Sequence, residues 1–159
     1  PAMSDYTPLI EESVEIAAPP ATVWALVTDL PRMASWSPQV KRTIVRKRPI
    51  RQGTTALNIN QDGLKIWPTR STVTEFEPHS RFAFTVKENN AVWSFTLEPT
   101  ATGTRLVQRR ETPNGISSLS NTLVDRVFGG QERFTGMLQR GMRETLQRIK
   151  SEVERDAAS

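Results

Sequence analysis

The chain ends in a long amphipathic segment that must pack against an apolar surface. Apolar residues recur in this segment every three or four positions, which is the spacing of one face of an α-helix. They are Phe134, Leu138, Met142, Leu146, Ile149 and Val153. Most of the chain before it consists of short β-like runs separated by tight turns, which predicts an antiparallel meander. Strands of this kind also need cover for their apolar face, so the terminal helix is predicted to lie across the sheet.

The β-like runs show the two-residue alternation of half-buried strands. Residues 10–17 begin the series, with Val14 and Ile16 on one face. Asp62-Gly63 is a strong hairpin turn between two later runs, and Pro68 in the second of them predicts an edge or a bulge. The later runs are 40–48, 54–61, 64–76, 81–87, the run that contains Trp93, Phe95 and Leu97, and 104–112.

Two short helices are predicted directly after the first strand. Pro19-Pro20 ends that strand, and Pro20 suits the first turn of a helix because its missing N–H would be unpaired there in any case. A second short helix is predicted for residues 30–36. The period becomes helical again from about residue 118, with a kink or break at Gly129-Gly130. The long helix is therefore predicted to start between Ser117 and Gln131.

The composition excludes several classes of protein. With 36% apolar and 24% charged residues among 159, the chain is typical of a globular protein. It contains no cysteine and one histidine, which excludes disulfides, thiolate metal sites and multi-histidine metal sites. We therefore expect no metal and no cofactor. No apolar run reaches the roughly 18 residues that span a bilayer, so we expect no stable membrane insertion. The lack of cysteine fits a reducing cytoplasm, where we expect the protein to be located.

The N-terminus carries no recognisable signal for secretion. Residues 1–8 lack a basic region followed by an apolar one, and we expect them to form a tail. Pro1-Ala2, ahead of Met3, is interpreted as a remnant of an expression vector.

A basic segment stands out between Lys41 and Arg51, where six of eleven residues are Lys or Arg. Such a segment could attract an anionic lipid, a nucleic acid or an acidic ligand. It could equally be the solvated face or the charge-protected edge of a strand. No aromatic side chains interleave with the charges as single-strand binding would require, so we favour the edge and expect no nucleic-acid partner.

Four short motifs carry a resemblance to a known superfamily. They are the segment 16–24 followed by Asp29, then Trp36-Ser37-Pro38, Gly103-Thr104-Arg105-Leu106, and the ending that starts at Gly141-Met142. With the order of elements, they resemble the START/Bet v 1-like (SRPBCC) superfamily, in its actinobacterial polyketide cyclase/dehydrase branch. The resemblance implies a single α+β domain over residues 9–155 with a helix-grip fold. In that fold, a curved antiparallel β-sheet wraps around a long C-terminal helix, and two short helices follow the first strand.

The resemblance implies a cavity between the sheet and the long helix, and alternation along the strands suggests its walls. Trp24 and Trp36 are expected to pack the short helices against the sheet. The remaining inward aromatic residues can be either core or ligand wall, and the sequence leaves both open. The predicted ligand-binding residues are Leu57, Ile59, Trp67, Phe82, Phe84, Trp93, Phe95, Gln108, Arg110, Phe134, Leu138 and Met142.

Arg110 is the sharpest polar candidate. If Leu106 faces inward, the two-residue period brings Gln108 and Arg110 inward as well. A buried guanidinium needs a carboxylate or an anionic ligand, and Asp125 or Glu132 could reach it from the helical region. The alternative is that the strand frays here and Arg110 is solvated. His79, in a turn beside Ser80, is expected at the surface.

The predicted function is binding of a small hydrophobic molecule, such as a lipid or a polyketide-like aromatic compound. No phosphate-binding glycine loop, nucleophile elbow or carboxylate pair on the apolar stripe points to a reaction. A polyketide aromatase/cyclase or dehydrase remains an alternative, because catalysis by orientation leaves little trace in a sequence. A second alternative is a protein-interaction module like the Hsp90-activator relatives, which predicts little or no pocket and an exposed apolar patch on the sheet. The ligand and the oligomeric state stay open.

Overall fold

The fold is an open seven-stranded antiparallel sheet with helices on its inner face. The computed structural model describes residues 9–113 and 130–158. The strands follow the order β1-β7-β6-β5-β4-β3-β2, so β1 and β2 form the two edges. The strands are β1 (Leu9–Ile16), β2 (Val40–Val45), β3 (Thr55–Asp62), β4 (Lys65–Glu77), β5 (Arg81–Val86), β6 (Val92–Thr100) and β7 (Gly103–Glu111).

The two predicted short helices follow β1. Helix α1 spans Pro20–Val27, with proline in its first turn as expected. A 3₁₀ turn at Leu30–Arg32 leads into α2, Met33–Trp36. The long helix α3 spans Gln131–Ala158, and its start agrees with the predicted window. The predicted helical stripe from residue 118 to Val127, and the Gly129 half of the break, lie outside the described residues.

Both predicted features of the β3–β4 hairpin are present. Asp62 pairs with Lys65 across a two-residue loop, in which Gly63 adopts a φ of 61° that favours glycine. Pro68 pairs with Ile59 in β3, while the pairing of β4 with β5 begins only at Ser71. Pro68 therefore lies where β4 has a strand on one side only, which is a local edge.

The glycine-threonine motif in β7 joins two parts of the fold. A Cβ atom on Gly103 would overlap the carbonyl oxygen of Ile16 at the end of β1, so only glycine fits this approach. The adjacent Thr104 hydroxyl donates a hydrogen bond to the Ala18 carbonyl at 2.7 Å. The pair fixes the start of β7 against the chain that enters α1.

Helix α3 lies along β1 and packs against the sheet. Arg143 forms an ion pair with Glu12 at 3.1 Å, and the Lys150 ammonium donates to the Glu15 carbonyl at 2.8 Å. Further along, Leu146, Ile149 and Val153 belong to the main hydrophobic core, as the sequence predicted. The first turns of α3 instead pack in a smaller cluster with Ile10, through Leu138 and Met142.

The basic segment lies at the edge of the sheet. It includes β2, which is an edge strand, and the exposed loop that follows it. Lys41 and Arg42 on β2 are also exposed. Unpaired edges invite pairing with another strand, and charge on the edge opposes this. The favoured interpretation of the segment as a charge-protected edge is consistent with this position.

Candidate ligand-binding site

A pocket opens between the inner face of the sheet and the first half of α3. The segment that follows α2 forms a further wall of the pocket, and this segment starts with the Trp36-Ser37-Pro38 motif. The lining residues are Met33, Trp36, Ser37, Pro38, Gln39, Val40, Asn58, Asn60, Thr69, Phe84, Val86, Trp93, Phe95, Gln108, Leu138, Gly141, Met142 and Thr145. The pocket therefore lies at the end of the helix–sheet interface where α3 begins, and the core occupies the other end.

The size of the pocket limits what it can enclose. The cavity measures about 110 Å³, and the empty space between its walls reaches about 700 Å³ when the solvent at its open side is included. Pockets for drug-sized ligands measure about 300–1,000 Å³. A ligand enclosed with the walls in this position is therefore smaller than such compounds, and a larger one extends into the open side.

The aromatic walls are held by edge contacts. Trp36, at the end of α2, meets Phe95 of β6 with ring centroids 5.9 Å apart and an interplanar angle of 80°. Trp24 of α1 makes similar contacts with Phe76 and Phe82, 5.2 and 6.2 Å away. The packing role predicted for the two tryptophans is confirmed, and Trp36 is in addition part of the pocket wall.

A row of polar side chains crosses the inner face of β2, β3 and β4. The Thr43 hydroxyl donates to Asn58 Oδ1 at 2.9 Å, and Asn58 Nδ2 donates to Ser71 Oγ at 3.3 Å. Two residues further along β3, Asn60 Nδ2 donates to Thr69 Oγ1 at 3.0 Å and to the Trp67 carbonyl at 3.1 Å. This half of the pocket is consequently polar, and the amide groups of both asparagines are held by hydrogen bonds.

The inward orientation predicted for Leu57 and Ile59 is wrong. Asn58 and Asn60 are buried on the inner face, and alternation then places Leu57 and Ile59 on the outer face, where Leu57 is 37% exposed. The apolar character of Leu57 and Ile59 suggested the core, but the hairpin register overrides it. Leu57 instead pairs with exposed Ile44 of β2, and Ile59 pairs with exposed Pro68.

The other predicted site residues divide into two groups. Six of them line the pocket: Phe84, Trp93, Phe95, Gln108, Leu138 and Met142. The remaining four do not line it. Phe82 is fully buried in the aromatic cluster around Trp24, and Trp67 shares the inner face with Asn60 beyond the pocket wall. Arg110 and Phe134 lie next to Trp93, beside the pocket.

Two buried polar atoms on the pocket wall have no hydrogen-bond partner among the described residues. They are the indole Nε1 of Trp36, a donor, and Oε1 of Gln108, an acceptor. Buried polar groups are normally paired, and each unpaired one costs about 1–3 kcal/mol. A ligand with both a donor and an acceptor would satisfy the two atoms.

Arg110 faces inward, as its phase with Leu106 predicted, and is only 7% exposed. Its guanidinium carbon lies 5.9 Å from the centroid of the Trp93 ring and 5.5 Å from that of Phe134. Burial lowers the pKa of Arg110 to about 10, which leaves it charged at neutral pH. Among the described residues no carboxylate pairs with it; Glu132 is exposed, and Asp125 lies outside them.

Sequence reasoning missed the polar wall and the segment after α2. Asn58, Asn60 and Thr69 were overlooked because the faces of β3 were assigned from its two aliphatic residues. The pairing of residues across the β3–β4 hairpin could have revealed these faces. Asp62 opposite Lys65 places Asn60 opposite Trp67, so an inward Trp67 requires an inward Asn60.

Other features of the surface carry less chemistry. His79 is exposed in its turn, as predicted, with a φ of 69°. Within residues 9–113 and 130–158, no three His, Cys, Asp or Glu side chains come together as metal ligands would. Ile44 and Leu57 form an exposed apolar pair on the outer face of the sheet. The interaction-module alternative predicted such a patch, but it also predicted little or no pocket.

Comparison with known proteins assigns the family. Residues 7–154 match the family described as polyketide cyclase / dehydrase and lipid transport. The chain belongs to this family, and its helix-grip fold is the one the sequence motifs implied. No match is found among curated proteins.

Solved structures with the same fold include two aromatase/cyclases. Zhui from Streptomyces sp. R1128 has a TM-score of 0.75 and 18% identity, covering 94% of each chain. The di-domain protein StfQ of the steffimycin pathway has a TM-score of 0.77 and 15% identity; the match covers 96% of this chain and 52% of StfQ, so this chain spans about half of that protein. The polyketide-cyclase-like protein Cgl2372 from Corynebacterium glutamicum is 27% identical, with a TM-score of 0.61 over 94% of this chain and 93% of that one.

Among the described helices, none is both long enough and apolar enough to cross a membrane. Helix α3 has the length, but charged residues occupy its outer face.

Proposed function

We propose that the protein binds a small, largely apolar molecule in the pocket between the sheet and the first half of α3. The observation that carries this proposal is the division of α3 along its length. Leu138, Gly141 and Met142 face a cavity, whereas Leu146 and Ile149 on the same stripe pack into the core. An interior that exists only for stability would pack closely along the whole stripe. Membership of a family described by cyclases and lipid transport supports the same function.

The chemistry of the wall favours binding over acid–base catalysis. The residues that line the pocket in the described part of the chain include no Asp, Glu, His, Lys or Tyr. General acids and bases come mainly from these types. The polar groups present are amides, hydroxyls and two indole N–H groups, which orient a ligand by hydrogen bonding but do not exchange protons near neutral pH. We further propose that the protein binds its ligand in the cytoplasm.

Gly141 offers the sharpest test, because it lines the pocket without a side chain. A Cβ atom added there would meet only Pro38, at an ordinary distance of 3.8 Å. Gly141→Leu should therefore fill the pocket without displacing the backbone. We expect this variant to bind the neutral fluorescent probe N-phenyl-1-naphthylamine at least tenfold more weakly than the wild type, measured by fluorescence titration.

Gly141→Ala is the matched control. It adds the helix preference of alanine, about 1 kcal/mol, but leaves the cavity open. It should keep probe binding within about twofold of the wild type and melt at the same temperature or higher. Equal binding of the probe by the wild type and the folded Gly141→Leu variant would show that the probe binds elsewhere and would refute the proposal.

A further inference from the structure

The arginines of β7 differ in a way that points to the ligand. Arg105 and Arg109 face outward, and each pairs with a carboxylate: Arg105 with Glu98 at 3.0 Å and Arg109 with Glu11 at 3.0 Å. Arg110 faces inward, is almost fully buried, and has no acceptor within residues 9–113 and 130–158. The least solvated of the three cations is thus the one without a counter-charge in the described part of the chain.

The two aromatic rings beside Arg110 stabilise its charge but do not accept hydrogen bonds from its N–H groups in the plane of the guanidinium. A cation over an aromatic face is attracted to the ring, and Trp93 and Phe134 both lie in range of the guanidinium. The five N–H groups of arginine still require acceptors, and burying a charge without them is expensive. The planar guanidinium fork matches a carboxylate with two parallel hydrogen bonds.

Register places this cation at the end of the pocket. Arg110 pairs with Trp93 of β6, and Trp93 lines the pocket. Gln108 lies two residues back on the same face, about 7 Å along the strand, and its unpaired Oε1 is on the pocket wall. Ile10 of β1 pairs with Arg110 from the other side. A ligand in the pocket would therefore meet Gln108 first and then the guanidinium of Arg110 beside Trp93.

We propose that the ligand is a small apolar acid, with one or two rings or a short aliphatic body, whose carboxylate binds Arg110. The apolar body occupies the space between Phe84, Phe95 and Leu138, and the carboxylate accepts hydrogen bonds from the guanidinium. This inference rests on the proposed function, because it names the class of molecule that the pocket selects. The size of the cavity limits the size of the apolar body. The charge of the ligand follows from Arg110, which has no counter-charge in the described part of the chain.

The test compares two probes of nearly the same size and shape, the anion naphthalene-2-carboxylate and the neutral naphthalene-2-carboxamide. Binding is followed by the change in tryptophan fluorescence, since Trp36 and Trp93 line the pocket. We expect the wild type to bind the carboxylate at least tenfold more tightly than the carboxamide. In Arg110→Met the two affinities should become equal, through loss of carboxylate binding, while the carboxamide affinity stays within about twofold.

Arg109→Met is the matched control, since it removes a cation from the next residue of the strand but on the outer face. It should keep the preference for the carboxylate. Equal affinities of the two probes for the wild type would overturn the role of Arg110 and leave the pocket standing. Failure of both probes, and of the neutral naphthylamine, would instead overturn the proposed function. The wild-type comparison decides between these outcomes even if Arg110→Met does not fold.

Discussion

Burial disfavours the charge of Arg110 in the free protein, and this is the residue that we propose binds the ligand carboxylate. Burial lowers the pKa of Arg110 from its ordinary value to about 10, which corresponds to about 3 kcal/mol against the charged form. The folded protein without a ligand bears this cost at neutral pH. Groups retained under such a cost are typical of functional sites. The same residue that lowers the stability of the free protein would then strengthen the binding of an anion.

Replacing Arg110 by methionine should stabilise the free protein. Methionine keeps much of the side-chain volume and removes the desolvated charge, so we expect the free energy of unfolding at pH 7 to rise by about 1–3 kcal/mol. Urea unfolding of the wild type and Arg110→Met measures this change. A loss of more than about 1 kcal/mol would mean that Arg110 has a counter-charge within the protein.

The pH dependence of this gain follows from the lowered pKa. Below about pH 9 the guanidinium is protonated in both the folded and the unfolded state, so the gain should be constant. Above about pH 10 the unfolded state, in which the pKa of this arginine is higher, holds the proton more tightly than the folded state. The free energy of unfolding of the wild type then rises with pH through this group, and the advantage of the variant shrinks.

At the scale of elements, the apolar stripe of α3 borders the pocket in its first half and packs into the main core in its second half. Its Leu138 and Met142 belong to a small cluster beside the pocket, and its Leu146, Ile149 and Val153 belong to the main core. A regular apolar repeat predicts that a helix has a buried face, and α3 has one. The repeat does not reveal which turns meet a packed wall and which meet a cavity, because both kinds of turn use the same residue types.

Two identical substitutions on α3 should separate these tasks. Leu146 is 1% exposed and lies in the main core, whereas Leu138 is 6% exposed and lies beside the pocket. Leu→Ala in a core costs about 2–5 kcal/mol, and the cost rises with the contacts that are lost. We expect Leu146→Ala to fall in that range and Leu138→Ala to cost about half as much. Chemical denaturation measures both, and equal losses would indicate that Leu138 is ordinary core.

The β3–β4 hairpin shows why face assignments fail. Leu57 and Ile59 were predicted to face inward because they are aliphatic. Trp67 was predicted to face inward because it lies an even number of residues from Val73. The two-residue loop makes these assignments incompatible, because Asn60 opposes Trp67 and alternation then turns Leu57 and Ile59 outward. Hydrophobicity read one strand at a time is weaker evidence than register, which couples both strands of a hairpin.

For the whole molecule, the sequence predicted the order and type of the elements well. Strand alternation, the Pro19-Pro20 stop and the α3 stripe are local signals, and the described elements for which bounds were predicted lie within a few residues of them. The pocket was harder to predict, because it depends on how far α3 stands from the sheet, and no local pattern records that distance. Asn58 and Asn60, polar residues in a strand with aliphatic neighbours, are the clearest signals that were missed.

The most direct test of the account uses the four tryptophans of the chain as internal reporters. Trp36 and Trp93 line the pocket, whereas Trp24 and Trp67 do not. In ¹⁵N-labelled wild-type protein titrated with naphthalene-2-carboxylate, we expect the indole N–H signals of Trp36 and Trp93 to shift with one common dissociation constant. Those of Trp24 and Trp67 should stay in place. Shifts confined to Trp24 or Trp67, or none at saturating ligand, would contradict a ligand site between the sheet and α3.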